Sequence, residues 1–306
     1  METKKRSADK VDLASSNGRI AEEPPAKKAH HSSSAYGSNH YREPSIFGIK
    51  PVDDMTKYVA EFIGKYCHLE NVEIEAKLGI FVDKQTGQRI DMDAYTETVI
   101  PSGHMRQYRF ESNMPLEQHR HYNKILNDMV NKTQARDYRG ERIKYKHTME
   151  TDRFYIIPNS KSKIRVSTEQ STNQIVPNGI VEKERVADLN IHAPNQPLDY
   201  RISINIEHPR TKPESPPVFE RNKDRISYQH GGIHFDLTQV KGANVDQDPT
   251  DLRHELELEF ADATLLQQEK SKYDRKESSQ YTPMIEVFMN NIRILSRSAL
   301  KTIHPK

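Results

Sequence analysis

The stretch Arg253-His254-Glu255-Leu256-Glu257-Leu258-Glu259-Phe260 decides the fold, because it alternates strictly between two kinds of side chain. Read as a β-strand, it places three glutamates on one face and the apolar residues on the other. Ionised carboxylates on one strand face repel one another unless a cation lies opposite them. The strand is therefore either a solvated face or part of a site that binds cations.

A second stretch, Val72-Glu73-Ile74-Glu75-Ala76-Lys77-Leu78, repeats the pattern. At period two, Glu73, Glu75 and Lys77 share one face and the apolar side chains lie behind them. Hard divalent cations prefer carboxylate oxygens as ligands. The two strands together predict a divalent-cation site.

The bulk composition limits the classes of protein that this chain can belong to. Its 306 residues are enough for one large domain or two ordinary ones. With 46 Lys and Arg against 44 Asp and Glu, any phosphate recognition must come from local clusters rather than from net charge. The single cysteine, Cys67, excludes a disulfide framework and a cysteine zinc site and indicates a reducing compartment. Without a membrane-spanning apolar run or a signal peptide, we expect a soluble intracellular protein.

The chain divides into a polar tail and a folded domain. Residues 1–43 are rich in Ser, Lys, Glu, Pro and His and poor in large apolar side chains, so we expect a disordered tail. Lys4-Lys5-Arg6 and Lys27-Lys28 within it resemble nuclear import signals, although such short basic clusters are common by chance. We expect the remainder, residues 44–306, to form one folded domain.

Periodicity in this domain predicts a sheet-dominated α+β fold with a few helices. Helices are expected after Pro51, after Pro115 and twice over 262–303, and a turn over 83–87 leads into a short strand. Further strands are expected at 72–82, 143–147, 154–157, 163–167, 179–186, 200–207, 221–228 and 232–238. Their charged faces are either solvated or line the polar interior of a closed barrel, with apolar faces turned outward onto helices.

Two of these strands carry basic faces. Arg221, Lys223 and Arg225 share one face at period two, and Lys163 and Arg165 share another. Each by itself is typical of a solvated edge that resists aggregation. Together with the acidic faces they would neutralise each other inside a barrel, and a polyphosphate with a divalent metal would satisfy both sets.

The sequence has none of the other common ways of holding a phosphate chain. It lacks a P-loop pattern, a kinase signature set, a G-x-S-x-G elbow and an H-E-x-x-H pair. His254 has the parity of Leu256 and Leu258, so we expect it to pack in the core rather than to bind a ligand.

These segments closely resemble the fungal messenger-RNA capping RNA 5′-triphosphatases, which are metal-dependent triphosphate tunnel enzymes. The resemblance covers residues 45–303 and is carried by an ordered set of segments. They are Val72–Gly79, Ile164–Thr168, Val181–Lys183, Ile202–Glu207, Lys223–Tyr228, Phe235–Thr238 and His254–Glu259.

The resemblance implies an eight-stranded antiparallel barrel that forms a closed tunnel on a scaffold of helices. It also implies hydrolysis of the γ-phosphate from triphosphate-ended nascent RNA, which leaves a diphosphate end for guanylylation. Two further implications are a homodimer in the nucleus and contact with the transcription machinery, such as RNA polymerase II or elongation-factor tails.

The resemblance also implies roles for individual residues. Manganese or magnesium would be bound by Glu73, Glu75 and Glu259. Phosphate would be bound by Lys77, Arg165, Lys183, Arg221, Lys223 and Arg225. The catalytic set would be Arg165, Glu207, Lys223, Arg225, Asp236 and Glu257, with Glu207 positioning the attacking water. Thr238 and Glu255 would help to orient these groups.

Two departures from the family pattern limit which contacts can be inferred for this chain from the resemblance. Some members carry Arg where this chain has His234, so that contact is not expected here. Some members bind the guanylyltransferase through a peptide containing Trp, and this chain has no Trp, so we do not expect that route.

Other functions remain open from the sequence. A related tunnel enzyme would hydrolyse inorganic polyphosphate, a nucleoside triphosphate or another small triphosphate. A binding module would hold polyphosphate or an RNA end without cleaving it, and a structural adaptor would simply solvate its charged strands.

Overall fold

The computed structural model describes residues 42–158, 160, 162–242 and 252–301 of the chain. The chain divides into two compact units, Met1–Lys50 and Pro51–Lys306. The described end of the first unit contains a turn in which Ser45 Oγ donates to the Ile49 carbonyl at 2.6 Å. Residues 1–41 of the expected tail lie outside the described residues, so its disorder and its boundary at 43 stay predictions.

The second unit contains helices and long antiparallel strands. The helices are α1 Asp54–Gly64, α2 Leu116–Thr133, α3 Ala263–Asp274 and α4 Tyr281–Ser298, with a short 3₁₀ turn at Ser102–Arg106. The strands are β1 Val72–Asp83, β2 Thr98–Val99, β3 Tyr108–Glu111, β4 Lys144–Ile156, β5 Lys163–Glu169, β6 Ile175–His192, β7 Asp199–Pro209, β8 Phe219–His230, β9 Ile233–Lys241 and β10 Leu252–Phe260.

Eight of the strands close into an antiparallel barrel, as expected. Their order is β10-β9-β8-β4-β5-β6-β7-β1, and β1 pairs back onto β10. The closing register places Glu75 opposite Glu259 and Lys77 opposite Glu257. The two acidic stretches, which are nearly 180 residues apart in sequence, are therefore adjacent strands.

The apolar faces of the barrel strands point outward onto the helices. Leu256 and Leu258 of β10 have no solvent exposure, and neither do Phe288 and Ile292 of α4. These side chains belong to one continuous core that also takes in the buried faces of α1 and α2. The charged faces consequently point into the barrel. They are therefore not ordinary solvated strand faces, which was one of the two interpretations open from the sequence.

The helices begin close to the predicted positions. Helix α1 starts at Asp54, three residues after Pro51, because Asp53 is its N-cap and accepts from the Thr56 amide at 3.0 Å. Helix α2 starts at Leu116, directly after Pro115. Within the described residues, no helix combines the length and the apolar character needed to cross a membrane.

Two strand predictions were wrong in extent. The segments expected at 143–147 and 154–157 are parts of a single strand, β4, of 13 residues. Its middle, over 148–153, has no apolar alternation because Thr151 and Arg153 hold the outward positions that apolar residues fill on other strands. After the turn at 83–87 there is only an isolated bridge between Val82 and Arg89, in place of the expected short strand.

Candidate active site

The inward faces of the barrel strands enclose a polar cavity of about 430 Å³. The lining contains thirteen of the residues predicted from the sequence as site residues. They are Glu73, Glu75, Lys77, Arg165, Lys183, Glu207, Arg221, Lys223, Arg225, Thr238, Glu255, Glu257 and Glu259. The remaining one, Asp236, lies behind this surface and is 5% exposed. The barrel therefore gathers residues from seven of its strands into one site.

One side of the cavity is a carboxylate cluster on β1 and β10. Lys183 contacts Glu73 in a short ion pair and lies 3.5 Å from Glu75. The Asn205 side-chain amide donates to the same two carboxylates at 3.0 and 3.2 Å. Although burial opposes the charge of Lys183, Glu75 and Glu73 outweigh it and raise the pKa of this ammonium.

The third carboxylate of this cluster, Glu259, makes no ion pair within the described part of the chain. Burial, with the nearby charges of Glu73, Asp236 and Glu75, raises its pKa to about 8. A partly buried carboxylate beside other carboxylates has too little positive charge around it to stabilise its ionised form. A bound cation would supply that charge.

The donor set of this cluster fits a hard divalent cation, since it consists of carboxylate oxygens. No group of three or more His, Cys, Asp or Glu side chains in the described ranges stands in a ready-made metal-binding arrangement. The reason is visible in the contacts: Glu73 and Glu75 are turned toward Lys183. Metal binding at these residues would require an ion to replace that lysine.

Next to the acidic cluster, cations and carboxylates alternate across β1, β10, β9 and β8. Lys77 and Glu257 form a short ion pair across the closing strands. Arg225 lies 2.7 Å from Asp236 and 3.8 Å from Glu257, and its Nε donates to Thr238 at 3.1 Å. Burial alone would raise the pKa of Glu257, but Lys77 and Arg225 hold it well below its usual range.

The opposite side of the cavity is a cationic cluster. Arg165 on β5 donates to Glu207 on β7 at 2.9 Å. Arg221 and Lys223 on β8 both contact Asp152 of β4, at 3.0 and 3.1 Å. Burial lowers the pKa of Lys223, and the adjacent Arg225 and Arg165 act in the same direction. Together Arg165, Arg221 and Lys223 offer a set of donors that matches the oxygens of an anionic ligand.

Three residues that support the site were not predicted from the sequence. Asp152 has no solvent exposure and also accepts from Ser167 Oγ at 2.6 Å, so it fixes the cationic cluster from behind. Glu150 lies 3.4 Å from Lys223, and Asn205 joins Glu73 to Glu75. Reading 144–156 as one strand would have placed Glu150 and Asp152 on the inward face by parity.

The prediction that His254 packs in the core agrees with the structure. His254 is 5% exposed and its ring lies 4.8 Å from that of His119, so it packs beneath α2 as expected. His234 is opposite Glu259 in the β9–β10 register but is not part of the cavity lining. Glu255 lies at the edge of the cavity and accepts from Ser112 Oγ at 3.3 Å.

This arrangement suits phosphoryl transfer to water. Such reactions need positioning and charge neutralisation around the transferred group more than a protein nucleophile. The cationic cluster matches the oxygens of a phosphate chain, and the carboxylate cluster matches an accompanying cation. A closed antiparallel barrel with this lining is the architecture of the triphosphate tunnel enzymes.

Comparison with known proteins defines the family within that class. The chain belongs to the family described as mRNA capping enzyme, beta chain, which it matches over residues 49–301. It is 37% identical over 252 residues to the mRNA-capping enzyme subunit beta of Schizosaccharomyces pombe, covering 80% of this chain and 82% of that protein. It is 31% identical over 280 residues to the subunit of the same name from Cryptococcus neoformans, covering 88% of this chain and 68% of that protein.

Two further relatives agree with this assignment. The structure of the S. pombe Pct1 RNA triphosphatase in complex with the Spt5 CTD is similar, with a TM-score of 0.78 and 35% identity. That similarity covers 85% of this chain and 100% of the other. The Saccharomyces cerevisiae polynucleotide 5′-triphosphatase CTL1 is 24% identical over 242 residues, covering 74% of this chain and 73% of that protein.

Proposed function

We propose that this chain is a metal-dependent RNA 5′-triphosphatase that carries out the first step of cap formation. Water attacks the γ-phosphorus of triphosphate-ended RNA, and the bond between that phosphorus and the β–γ bridging oxygen breaks. The products are orthophosphate and an RNA with a diphosphate end. The observation that carries the proposal is a closed tunnel, lined by facing cationic and carboxylate clusters, in a member of the capping-enzyme beta family.

In this proposal the cationic cluster binds the phosphate chain. Arg165, Lys223 and Arg225 hold the γ-phosphate, while Arg221, Lys77 and Lys183 contact the rest of the triphosphate. Asp236 and Glu257 fix Arg225 and Lys77, with Thr238 and Glu255 beside them. Because carboxylates already hold Arg225 and Lys77, these two side chains need little reorganisation during the reaction.

Glu207 is the residue that we propose acts on the attacking water. One of its oxygens, Oε1, accepts from Arg165, and Oε2 makes no hydrogen bond within the described residues. An ionised carboxylate accepts hydrogen bonds through both oxygens. Glu207 therefore anchors a phosphate-binding arginine and orients water with its other oxygen.

The metal of the proposal is Mn²⁺ or Mg²⁺, held by Glu73, Glu75 and Glu259. When bound, the ion would neutralise charge on the phosphoryl oxygens as a Lewis acid. The placement is supported by the partly buried Glu259, which forms no ion pair among the described residues, and by the all-oxygen donor set.

The proposal extends to assembly and location. By analogy with the S. pombe relative in complex with the Spt5 CTD, we expect this chain to contact a tail of the transcription machinery in the nucleus. A homodimer is also part of the proposal, and light scattering of the purified protein tests it. The guanylyltransferase route through a Trp peptide is not expected in a chain without Trp.

The decisive experiment measures release of phosphate from γ-labelled triphosphate-ended RNA with Mn²⁺, with Mg²⁺ and with chelator. We expect metal-dependent release that Glu73→Ala reduces by about 10²–10³, as for loss of one group that stabilises the transition state. Mn²⁺ should also raise the Tm of the wild type but not of Glu73→Ala. Glu61→Ala, an exposed glutamate on α1, is the matched control and should behave as wild type.

The same assay separates the alternative functions. Faster turnover of tripolyphosphate or a nucleoside triphosphate than of RNA, at equal concentration, would favour a small-molecule hydrolase. Binding of triphosphate-ended RNA without release of phosphate under either metal would indicate a binding module.

A further inference from the structure

Two side cavities open from the tunnel, and they differ in size. One, of about 940 Å³, shares Glu150, Val176 and Pro177 with the tunnel lining. The other, of about 390 Å³, shares Glu255 with it. Because neighbouring strands are antiparallel, the start of β4 and the start of β10 lie at opposite rims of the barrel. The two cavities therefore adjoin opposite mouths.

The larger cavity is a groove between the first half of β4 and the hairpin that joins β5 to β6. It begins at Glu150, whose carboxylate is 3.4 Å from Lys223 Nζ. Lys223 belongs to the proposed γ-phosphate site, so the groove starts one side chain away from the triphosphate. It is also within the size range of small-molecule sites, which is about 300–1,000 Å³.

The polar side chains of this groove suit a phosphodiester backbone. Lys146 is exposed and forms no ion pair within the described ranges, and Gln174 adds an exposed amide donor, whereas the Gln170 amide already donates to the Glu150 carbonyl at 3.0 Å. The two carboxylates are already engaged: Glu150 with Lys223, and Glu169 with the Thr172 hydroxyl at 2.7 Å. Lysine and amide side chains are common partners of phosphate and sugar oxygens.

The groove also offers apolar surface at the same place. Met149 and Ile175 are 48% and 43% exposed, although both lie in barrel strands. Single-stranded RNA presents flat base faces that bury apolar surface on contact, while its phosphates seek cations. The cavity at the opposite mouth, with Glu111 and Glu255 beside Arg253, has less than half this volume, so it offers less room for a nucleotide.

We propose that the first nucleotides of the RNA chain leave the tunnel through this groove and bind along Lys146, Met149, Gln174 and Ile175. The proposal rests on the RNA triphosphatase activity proposed above. The groove makes the site selective for an RNA end over a free nucleoside triphosphate, because only the longer substrate reaches it.

The kinetic test compares triphosphate-ended RNA with a nucleoside triphosphate as substrates of Lys146→Ala. We expect KM for RNA to rise about threefold to tenfold. The slope of the logarithm of the RNA-binding constant against the logarithm of salt concentration should become shallower by about one. Hydrolysis of the nucleoside triphosphate should not change. Lys65→Ala, an exposed lysine on the helical side of the molecule, is the control and should leave both substrates unaffected. Equal effects of Lys146→Ala on the two substrates, or none on either, would overturn the proposal.

A second measurement locates the RNA directly and does not require turnover. Triphosphate-ended RNA carrying a thiouridine at its second nucleotide is cross-linked to the full-length wild-type protein by light, and the peptides are mapped. Cross-links within 146–149 or 170–177 are the expected result. Cross-links confined to 110–113 or 253–255 would place the RNA at the other mouth. A protein that cross-links in the groove but releases no phosphate would contradict the activity and leave the groove proposal standing.

Discussion

The two faces of the barrel wall follow opposite rules. On the outer face, Leu256 and Leu258 are fully buried in one apolar core with Phe288 and Ile292 of α4. On the inner face of the same strand, Glu257 forms ion pairs with Lys77 and Arg225 on other strands. Alternate residues of a single strand thus contribute to an apolar core on one face and to a charged tunnel on the other.

This difference assigns the stability of the barrel to its outer face and the chemistry to its inner face. Apolar burial between sheet and helix stabilises the fold. The buried ion pairs of the tunnel add little net stability, because desolvation offsets most of their attraction. Changes on the outer face should therefore affect unfolding, whereas changes on the inner face should affect turnover.

The largest effect is expected on the outer face, for Phe288→Ala in α4. Phe288 is fully buried and its ring lies 4.5 Å from that of Phe260 on β10. Its removal should lower the free energy of unfolding by about 3–5 kcal/mol, measured by urea denaturation. The folded fraction should keep its kcat, since no tunnel residue is altered.

The adjacent residue provides the control for this change. Val287 is 40% exposed, so Val287→Ala should alter the free energy of unfolding by no more than about 0.5 kcal/mol. If Phe288→Ala reduced kcat of the folded protein as strongly as a tunnel substitution, the division of labour between the two faces would be wrong.

On the inner face, Arg165→Ala should lower the rate of phosphate release by about 10²–10³, or about 3–4 kcal/mol of transition-state stabilisation. Arg165 contacts the cavity and Glu207 but no part of the apolar core. Steady-state kinetics at saturating RNA measure the effect, with Arg210→Ala as the control. Arg210 pairs with Glu182 at the surface, at 2.7 Å, and is not a lining residue. Near-normal turnover of Arg165→Ala would refute its assignment.

The smallest effect concerns pH and the histidine pair between α2 and β10. Burial, aided by His254, lowers the pKa of His119 to about 4, although Asp224 opposes the shift. The unfolded chain, with an ordinary histidine pKa of about 6.5, takes up the proton first. The stability that the neutral ring provides is therefore complete above about pH 6.5 and is lost as the pH falls toward 4.

This linkage gives a measurable difference between variants. Between pH 7 and pH 5 the wild type should lose about 1–2 kcal/mol more of its unfolding free energy than His119→Leu. Urea denaturation at both pH values measures it, and His68→Leu, an exposed position, should match the wild type. Identical losses in the wild type and His119→Leu would show that this pair does not govern the acid sensitivity of the scaffold.

Sequence reasoning predicted most strands and helices because apolar alternation is present wherever a strand packs on the helices. It divided β4 in two because Thr148–Arg153 lies away from that packing and carries polar residues on both faces. The same gap concealed Glu150 and Asp152, which support Lys223 from behind. Strict period-two spacing identified the acidic and basic faces that line the cavity, whereas Lys183, Glu207 and Thr238 were assigned through the family resemblance.

By itself, the sequence determined which side chains share a face, because the alternation of a β-strand is fixed by its backbone geometry. It thereby determined that charged and apolar faces would separate. Only the tertiary structure decided that the charged faces point inward and which charges meet. Contacts such as Lys183 with Glu73, or Lys77 with Glu257, depend on the register between strands that are far apart in the chain. Closure of the barrel sets that register, and no local pattern encodes it.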